Sequence, residues 1–355
     1  MSAVQREIGS EFHWDPTALS DRDSPMPARH KLFATGCGAL TALLRRLAPR
    51  GRLHIPSYFC MGVAEALSET VPIAWYRHLP GGAGPRWESL RARPGDLVLA
   101  QNLFGREDGR DWTAWIRAHP RVTVIEDHSH DPFGPWARAS IAPYAVASLR
   151  KTLPVPDGGL LWSPQDLPMP APDGPDNPGS DLKLAAMLLK SAWLDGVPVP
   201  KDKFRMLQQR GENVLLGSTA PIGIVTRVIL PFLDIDRLRL AATANVRALR
   251  EALPATPDWQ VLAGGSGDGA PFRLQLLCRD GRTRDALLAH LAAHGIYAPV
   301  HWRQDRTGVW SGDEDAADLA SRMLTVPVDH RCTPADLRRL TEVLGSPIRR
   351  EPARQ

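Results

Sequence analysis

From Phe33 onward the chain alternates short apolar runs with longer segments whose apolar residues recur every three or four positions. "GCGALTALLRRLAPRG" predicts an amphipathic helix opened by glycines and closed by Gly51. "RLHIPS" reads as a strand, "MGVAEALSE" as a helix and "VPIAWY" as a strand. "DLVLAQNLF" is a further strand, "DWTAWIRAHP" a helix, and "RVTVIED" a strand ending in two carboxylates. "YAVASL" and "GGLLWS" complete the series. This alternation predicts an α/β fold with a mostly parallel sheet covered on both faces. Ligands of such sheets collect at the carboxyl ends of the strands, which here carry "PSYFC", "QNLFG", "EDHSH" and "SLRKT".

The pattern changes at both ends and in the middle. The first thirty residues lack periodicity and read as an irregular arm, and "PQDLPMPAPDGPDNPGSD" reads as an exposed connection. A long helix is predicted from Asp234 to Leu253. The final third has a strand at "FRLQLLC", a helix at "TRDALLAHLAAHG", strand-like "IYAPVHW" and a helix at "PADLRRLTEVLG", a compact α+β unit. The expected division is an arm at 1–30, a large domain at 31–230, a small C-terminal domain at 231–346 and a frayed tail at 347–355.

With 43% hydrophobic and 23% charged residues, the chain has the composition of a folded globular protein and not of a disordered one. The net charge of +4 comes from scattered arginines, and no basic run interleaves with aromatics, so no nucleic-acid partner is expected. A weak positive excess suits an anionic substrate or cofactor. Cys37, Cys60, Cys278 and Cys332 lie far apart and form no disulfide or metal-ligand framework. "MSAVQREIGSEFHWDP" has no apolar signal core and no apolar run is long enough to span a bilayer, so a cytoplasmic protein without membrane contact is expected.

Lys151 follows directly on an apolar strand. A lysine near an interior costs desolvation energy unless it is neutral, paired or covalently used, although this one also reads as a solvated turn residue beside Arg150. Asp127 ends the preceding strand, where an acid can cap a turn or pair with a protonated ring nitrogen. Pyridoxal phosphate (PLP) needs both groups, an amine for the Schiff base and a carboxylate that keeps the pyridinium charged. "ATGCGAL" leads small residues straight into a helix, so that backbone N–H groups at Gly36 and Gly38 can face a phosphate or simply make a tight turn. Ser148 can add a hydroxyl or bond its own backbone. His128 and His130 lack the further ligands that zinc needs, and no metal is expected.

Taken in order, "ATGCGAL", "HIPSYFCMGVAEAL", "QNLFG", "IEDHSH" and "ASLRKTLPVPDGGLL" resemble the DegT/DnrJ/StrS-type sugar aminotransferases, which are PLP enzymes of fold type I. "RLRLAATANVRALREAL", "GIYAPVHW" and "LTVPVDHRCTPADLRRL" extend the likeness from Phe33 to Leu344. The resemblance implies an aspartate-aminotransferase-like fold type I, with a mostly parallel sheet in the large domain and a small C-terminal α+β domain. It makes Lys151 the Schiff-base lysine, Asp127 the partner of the pyridinium nitrogen and His130 a neighbour of the phenolic oxygen. Gly36, Cys37, Gly38 and Ser148 fall at phosphate positions and Asn102 near the substrate; His301, Trp302 and Arg303 fall near the substrate pocket, although these three read equally well as surface residues.

Three departures accompany it. The loop before Lys151 is two residues shorter than the family's, and Cys60 stands where the family has a stacking aromatic, so that either Phe59 or Tyr58 substitutes or the stack is absent. The family's substrate segment from the neighbouring subunit has no clean match in "KDKFRMLQQRGENVL". The implied activity is transfer of an amino group from an amino-acid donor to a keto or aldehyde acceptor. The alternative is a fold type I enzyme that eliminates, replaces or racemises. A homodimer is implied, and the apolar residues of "SYFCMGV" and "QNLFG" are expected to be exposed in a lone subunit. Arg331 is expected in a structural salt bridge and not as an anion clamp.

Overall fold

The computed structural model describes residues 7–348 except 23, 82–83, 265–269, 271, 305 and 307, so the start of the expected arm and most of the expected tail lie outside the described residues. The chain opens with β1 (Ile8–Gly9), β2 (His30–Phe33), α1 (Gly36–Leu47), β3 (Leu53–Pro56), α2 (Met61–Ser68) and β4 (Ile73–Tyr76). It continues through β5 (Leu97–Gln101), α3 (Arg110–Ala118), β6 (Thr123–Asp127), α4 (Pro135–Arg138), β7 (Tyr144–Ser148) and β8 (Gly159–Trp162). Four helices follow: α5 (Pro178–Leu194), α6 (Lys201–Leu215), α7 (Ile224–Ile229) and α8 (Ile235–Ala252). The last third holds β9 (Trp259–Val261), β10 (Leu274–Cys278), α9 (Gly281–Ala293), β11 (Ile296–Tyr297), α10 (Glu314–Arg322), β12 (Met323–Val326) and α11 (Pro334–Gly345).

Seven strands form one sheet in the order β2-β8-β7-β6-β5-β3-β4. The run from β7 to β4 is parallel, and β8 is antiparallel to both its neighbours. Strand alternation then decides which side chains share a face. Leu97, Leu99, Ile125 and Val146 pack with α1 residues such as Leu40 and Leu43 in one core, whereas Val98, Ala100 and Val124 pack with Trp112 of α3 on the other face. Continuing by twos, Gln101, Asp127 and Ser148 fall on the α1 face at the carboxyl ends of three adjacent strands. A second, three-stranded antiparallel sheet, β12-β10-β9, supports its own core with α8, α9 and α11.

Several local differences from the expected elements have clear causes. The first helix ends at Leu47 and not at Gly51, because Ala48 turns left-handed (φ 42°) and Pro49 cannot continue the helix. "DLVLAQNLF" stops pairing at Gln101, since Leu103–Gly105 coil into a tight turn with Phe104 at φ 53°. Of "IYAPVHW" only Ile296–Tyr297 pairs, with β1, so the arm is not wholly irregular. Strands β2, β9 and β12 carry no strong sequence signal; each gains its state from a neighbour already in a sheet.

The apolar residues of "SYFCMGV" and "QNLFG" are not exposed as expected. Tyr58, Phe59, Leu103 and Phe104 are all 2% exposed or less, because Tyr58, Leu103 and Phe104 pack against Phe272, Ala316, Ala320 and Met323 beside the second sheet. The exposed apolar side chains lie instead on the intervening helices, among them Met206, Leu216, Ile224, Val228, Phe232 and Leu240. Among the described residues no helix is long and apolar enough to cross a membrane.

Candidate active site

A cavity of about 600 Å³ opens at the carboxyl ends of β5, β6 and β7, a volume ordinary for a small-molecule site. Gly36, Cys37, Phe59, Asp127, Ser148, Lys151 and His301 line it, so seven of the sequence-derived candidates meet there. Four others are placed elsewhere. Gly38 is committed to the helix start: its N–H donates to Thr35 Oγ1 (2.9 Å), and a Cβ there would lie 1.8 Å from the Ser218 carbonyl oxygen. Asn102 is buried and accepts from the Glu107 N–H through Oδ1 (3.2 Å), a turn role outside the cavity lining. Arg303 is exposed and does not line the cavity. His130 is buried and does not line this cavity, although its Nε2 lies 3.5 Å from Lys151 Nζ.

Asp127 and Lys151 stand on neighbouring strand ends. β6 and β7 pair in parallel with Asp127 opposite Val146, and Lys151 follows β7 in the short helical turn Leu149–Lys151. Asp127 Oδ1 accepts from the Ser129 N–H (2.9 Å), and Oδ2 accepts from Gln101 Nε2 (3.3 Å). Trp302, which the resemblance set near the pocket, lines it, whereas Gln101 and Ser129 are lining residues that the sequence reading missed. Strand alternation points to Gln101, two positions beyond Leu99 on the same face, but no local pattern marks Ser129.

Burial lowers the Lys151 amine below the usual lysine range, and Arg150 adds to that, while Asp127 opposes it. Arg150 is itself held by Glu212 (2.5 Å), so its effect on the amine is tempered. Lys151 Nζ lies 3.5 Å from His130 Nε2 and 5.5 Å from the centre of the Trp302 ring. His130 Nδ1 accepts from the Phe104 N–H (3.0 Å), which leaves the proton of the neutral ring on Nε2, facing Lys151. Burial holds that ring neutral, as do the nearby charges of Lys151 and Arg273. It is sandwiched among Phe272, Phe104 and Trp302, with near-parallel rings 4.6, 5.3 and 5.5 Å apart. His128 belongs to a different environment, paired with Glu126 (2.9 Å) against Trp136 and Trp162.

The rim of the cavity at α1 suits an anion. Gly36 and Cys37 are the first two helical residues, whose N–H groups have no partner within a helix. A Cβ on Gly36 would come within 3.1 Å of Ser148 Cβ, so glycine lets the helix start close on Ser148. Arg150 Nε is buried without a hydrogen-bond partner beside this rim. The expected substitutes for a stacking aromatic separate: Phe59 lines the cavity, whereas Tyr58 is buried with its hydroxyl donated to the His301 carbonyl. Trp302, from the other side of the cavity, is the aromatic over Lys151. Arg331 is locked to Asp329 (2.8 Å), in keeping with a structural salt bridge.

Two histidines carry a pH prediction. Burial, with Arg273 and Lys151, lowers His301 to about 3, and burial with Arg331 and Lys190 lowers His13 to about 4 against the opposing Asp15 and Asp329. Both pKa values are depressed on folding, so between about 6.5 and 4 the unfolded chain binds more protons and stability falls as pH falls. Chemical denaturation at steps from pH 7 to pH 4 should show this loss, and His13→Gln should flatten it. An unchanged slope in that variant would contradict the assignment.

No family model matches the sequence, and no curated protein matches it. Solved structures do. DesI, determined in the presence of its TDP-sugar product, is 16% identical, with a TM-score of 0.62 over 91% of this chain and 81% of that one. A DegT DnrJ EryC1 StrS aminotransferase from Brucella abortus is 16% identical, with a TM-score of 0.61 over 89% and 85%. Spr1654 from Streptococcus pneumoniae, in its PLP form, is 12% identical, with a TM-score of 0.65 over 96% and 98%. The chain has the aminotransferase fold of these proteins, a mixed α/β architecture built on a large, mostly parallel sheet.

Proposed function

We propose that this protein is a PLP-dependent aminotransferase, which moves an amino group from an amino-acid donor to a keto or aldehyde acceptor. One observation carries the reading: Asp127 and Lys151 stand together in one cavity, facing a helix start that suits a phosphate. The residues present fit the cofactor. Gly36, Cys37 and Ser148 would hold its phosphate, Asp127 its ring nitrogen and Lys151 its aldehyde carbon. Bound there, PLP supplies an electron sink for the bond-breaking step.

The chain's own groups then have defined tasks. Lys151 Nζ, whose basicity burial lowers, can take a proton from the substrate carbon and return it. His130 Nε2–H is a fixed donor beside that amine, aimed by the Phe104 N–H. Gln101 and the Ser129 N–H hold the Asp127 carboxylate in orientation. Phe59, Trp302 and the apolar wall exclude water from the reacting groups. The sugar aminotransferases that share the fold favour a sugar-like acceptor or a secondary-metabolite precursor. Incubating the cofactor-loaded protein with candidate amino acids should convert the aldehyde absorbance to that of the amine form. Persistence of the aldehyde form with every donor would defeat the reading.

In this reading residues 31–230 form the cofactor-binding domain and 231–346 the small domain. The protein acts in the cytoplasm, where its four free cysteines stay reduced. It works as a homodimer. Ile224, Val228, Phe232 and Leu240 are each at least half exposed on α7, α8 and the turn between them, a surface a second copy would cover. Sedimentation across a dilution series should show a dimer, with cofactor absorbance lost as it dissociates. A monomer that retains cofactor and activity would rule the dimer out.

A further inference from the structure

The amino ends of the parallel strands face away from the cavity, which opens at their carboxyl ends, and arginines crowd there. Arg50 and Arg52 lead into β3, Arg91 and Arg93 precede β5, and Arg121 precedes β6. Arg46 joins them from the last turn of α1, where its Nε donates to the Pro168 carbonyl (3.3 Å). Tyr144, the first residue of β7, donates its hydroxyl to the same carbonyl (3.3 Å). Because β3, β5, β6 and β7 are consecutive neighbours in the sheet, the six arginines form a row about 15 Å long, three strand spacings. All six are exposed, and among the described residues none has a carboxylate within ion-pair distance.

The local fold holds this row in place. Asp96 accepts from the Arg52 and Arg93 N–H groups (2.8 Å each) and pairs with His54 (3.1 Å), which fastens the loops before β3 and β5 to one another. Burial opposes the charge, yet these contacts hold the Asp96 carboxyl below its usual range. A Cβ on Gly51 would lie 2.1 Å from Asp96 Oδ1, so glycine is what lets the two loops approach. The one acid inside the row therefore serves backbone groups and a histidine, and no guanidinium shares it. Asp166 lies by Arg29 (3.6 Å), and Glu69 caps α2 on the way into β4, one strand beyond the row.

Six like charges held side by side repel one another, and an anion that spans them relieves the repulsion. What this end of the sheet lacks narrows the choice of anion. Insertion into a membrane needs exposed apolar side chains, and the large exposed ones all fall between Leu188 and Leu240. Single-stranded nucleic acid needs open aromatic faces. Trp115 of α3, the helix that ends here, is already stacked by His119 and Trp87 (4.0 and 6.2 Å). A nucleic-acid duplex presents a phosphate track much longer than the row, whereas about five extended residues or about ten helical ones match it.

We propose that this row binds a short carboxylate-rich segment of a partner protein, leaving the cavity at the opposite end of the strands open. The planar fork of arginine matches a carboxylate through paired hydrogen bonds. The inference does not rest on the aminotransferase reading, since row and cavity lie at opposite ends of the sheet.

Fluorescence anisotropy of a labelled decaglutamate peptide with the full chain is the test. Wild type should bind the peptide at low salt, and about 0.3 M salt should weaken binding, as for exposed charges. Arg52→Gln, Arg93→Gln and Arg121→Gln combined should weaken it by roughly tenfold, a few-fold for each exposed ion pair. Thermal unfolding checks that this variant is folded; should it fail, Arg121→Gln alone decides by a few-fold loss. Arg247→Gln combined with Arg282→Gln, at exposed arginines of α8 and α9, should match wild type. Saturation with PLP should leave the peptide bound. Absence of binding at low salt, or equal binding by the variant, would overturn the proposal, as would displacement by PLP, which would move the peptide into the cavity. Tighter binding of duplex DNA or of phosphatidylserine vesicles, dependent on the same arginines, would also overturn it by assigning the row to nucleic acid or to a membrane.

Discussion

Replacing Lys151 by alanine should abolish amino transfer, with a loss on the order of 10⁴-fold or more, as for other covalently acting residues. Borohydride reduction of the cofactor-loaded protein should attach the pyridoxyl group to Lys151. The discriminating comparison is with Lys190, which burial and Arg331 lower to about 8. On acidity alone Lys190 is an attractive nucleophile. Its ammonium is nonetheless held by Glu7 (3.2 Å) and by the Glu11 carbonyl (2.6 Å), in a separate cavity beneath the arm. Lys183 is spoken for by Glu212 (2.8 Å) and Glu11. Lys151 is the lysine that shares a cavity with Asp127. Peptide mapping that finds the label on Lys183 or Lys190 would sink the assignment.

Asp127→Asn should retain the cofactor and lose turnover by about a hundredfold to a thousandfold, the usual size of a lost preorganised electrostatic contact. The asparagine oxygen can still accept the Ser129 N–H, so the local fold should survive; the negative charge does not. That charge raises the Lys151 pKa against the effect of burial, so its removal should lower the amine pKa further. The alkaline-going limb of the rate profile that reports deprotonation of Lys151 should therefore move to lower pH in the variant. A turnover close to wild type, with no shift in that limb, would reduce Asp127 to a turn-capping residue.

Much of the sheet was legible because its strands are short apolar runs with helical segments between them, and alternation is a local property. The placement of Asp127 near Lys151 was legible for the same reason: Asp127 ends a recognisable strand, Lys151 follows shortly after the next, and the two strands are neighbours. Helix boundaries were less so, as at Ala48, where the left-handed residue and the following proline outweigh a glycine three positions on.

By itself, then, the sequence determined the α/β layering, the positions of the strand ends and the residue types gathered at three of them. Tertiary structure decided which candidates share a cavity. Asn102 and Arg303 do not line it: a turn hydrogen bond holds the first and the second is exposed. Gln101 and Ser129 enter because the parallel pairing of β5, β6 and β7 brings their carboxyl ends to one cavity. The state of each charge was decided there too. An arginine or lysine is cationic in any sequence, but only its partners and its distance from water tell whether that charge is satisfied, as in Arg331.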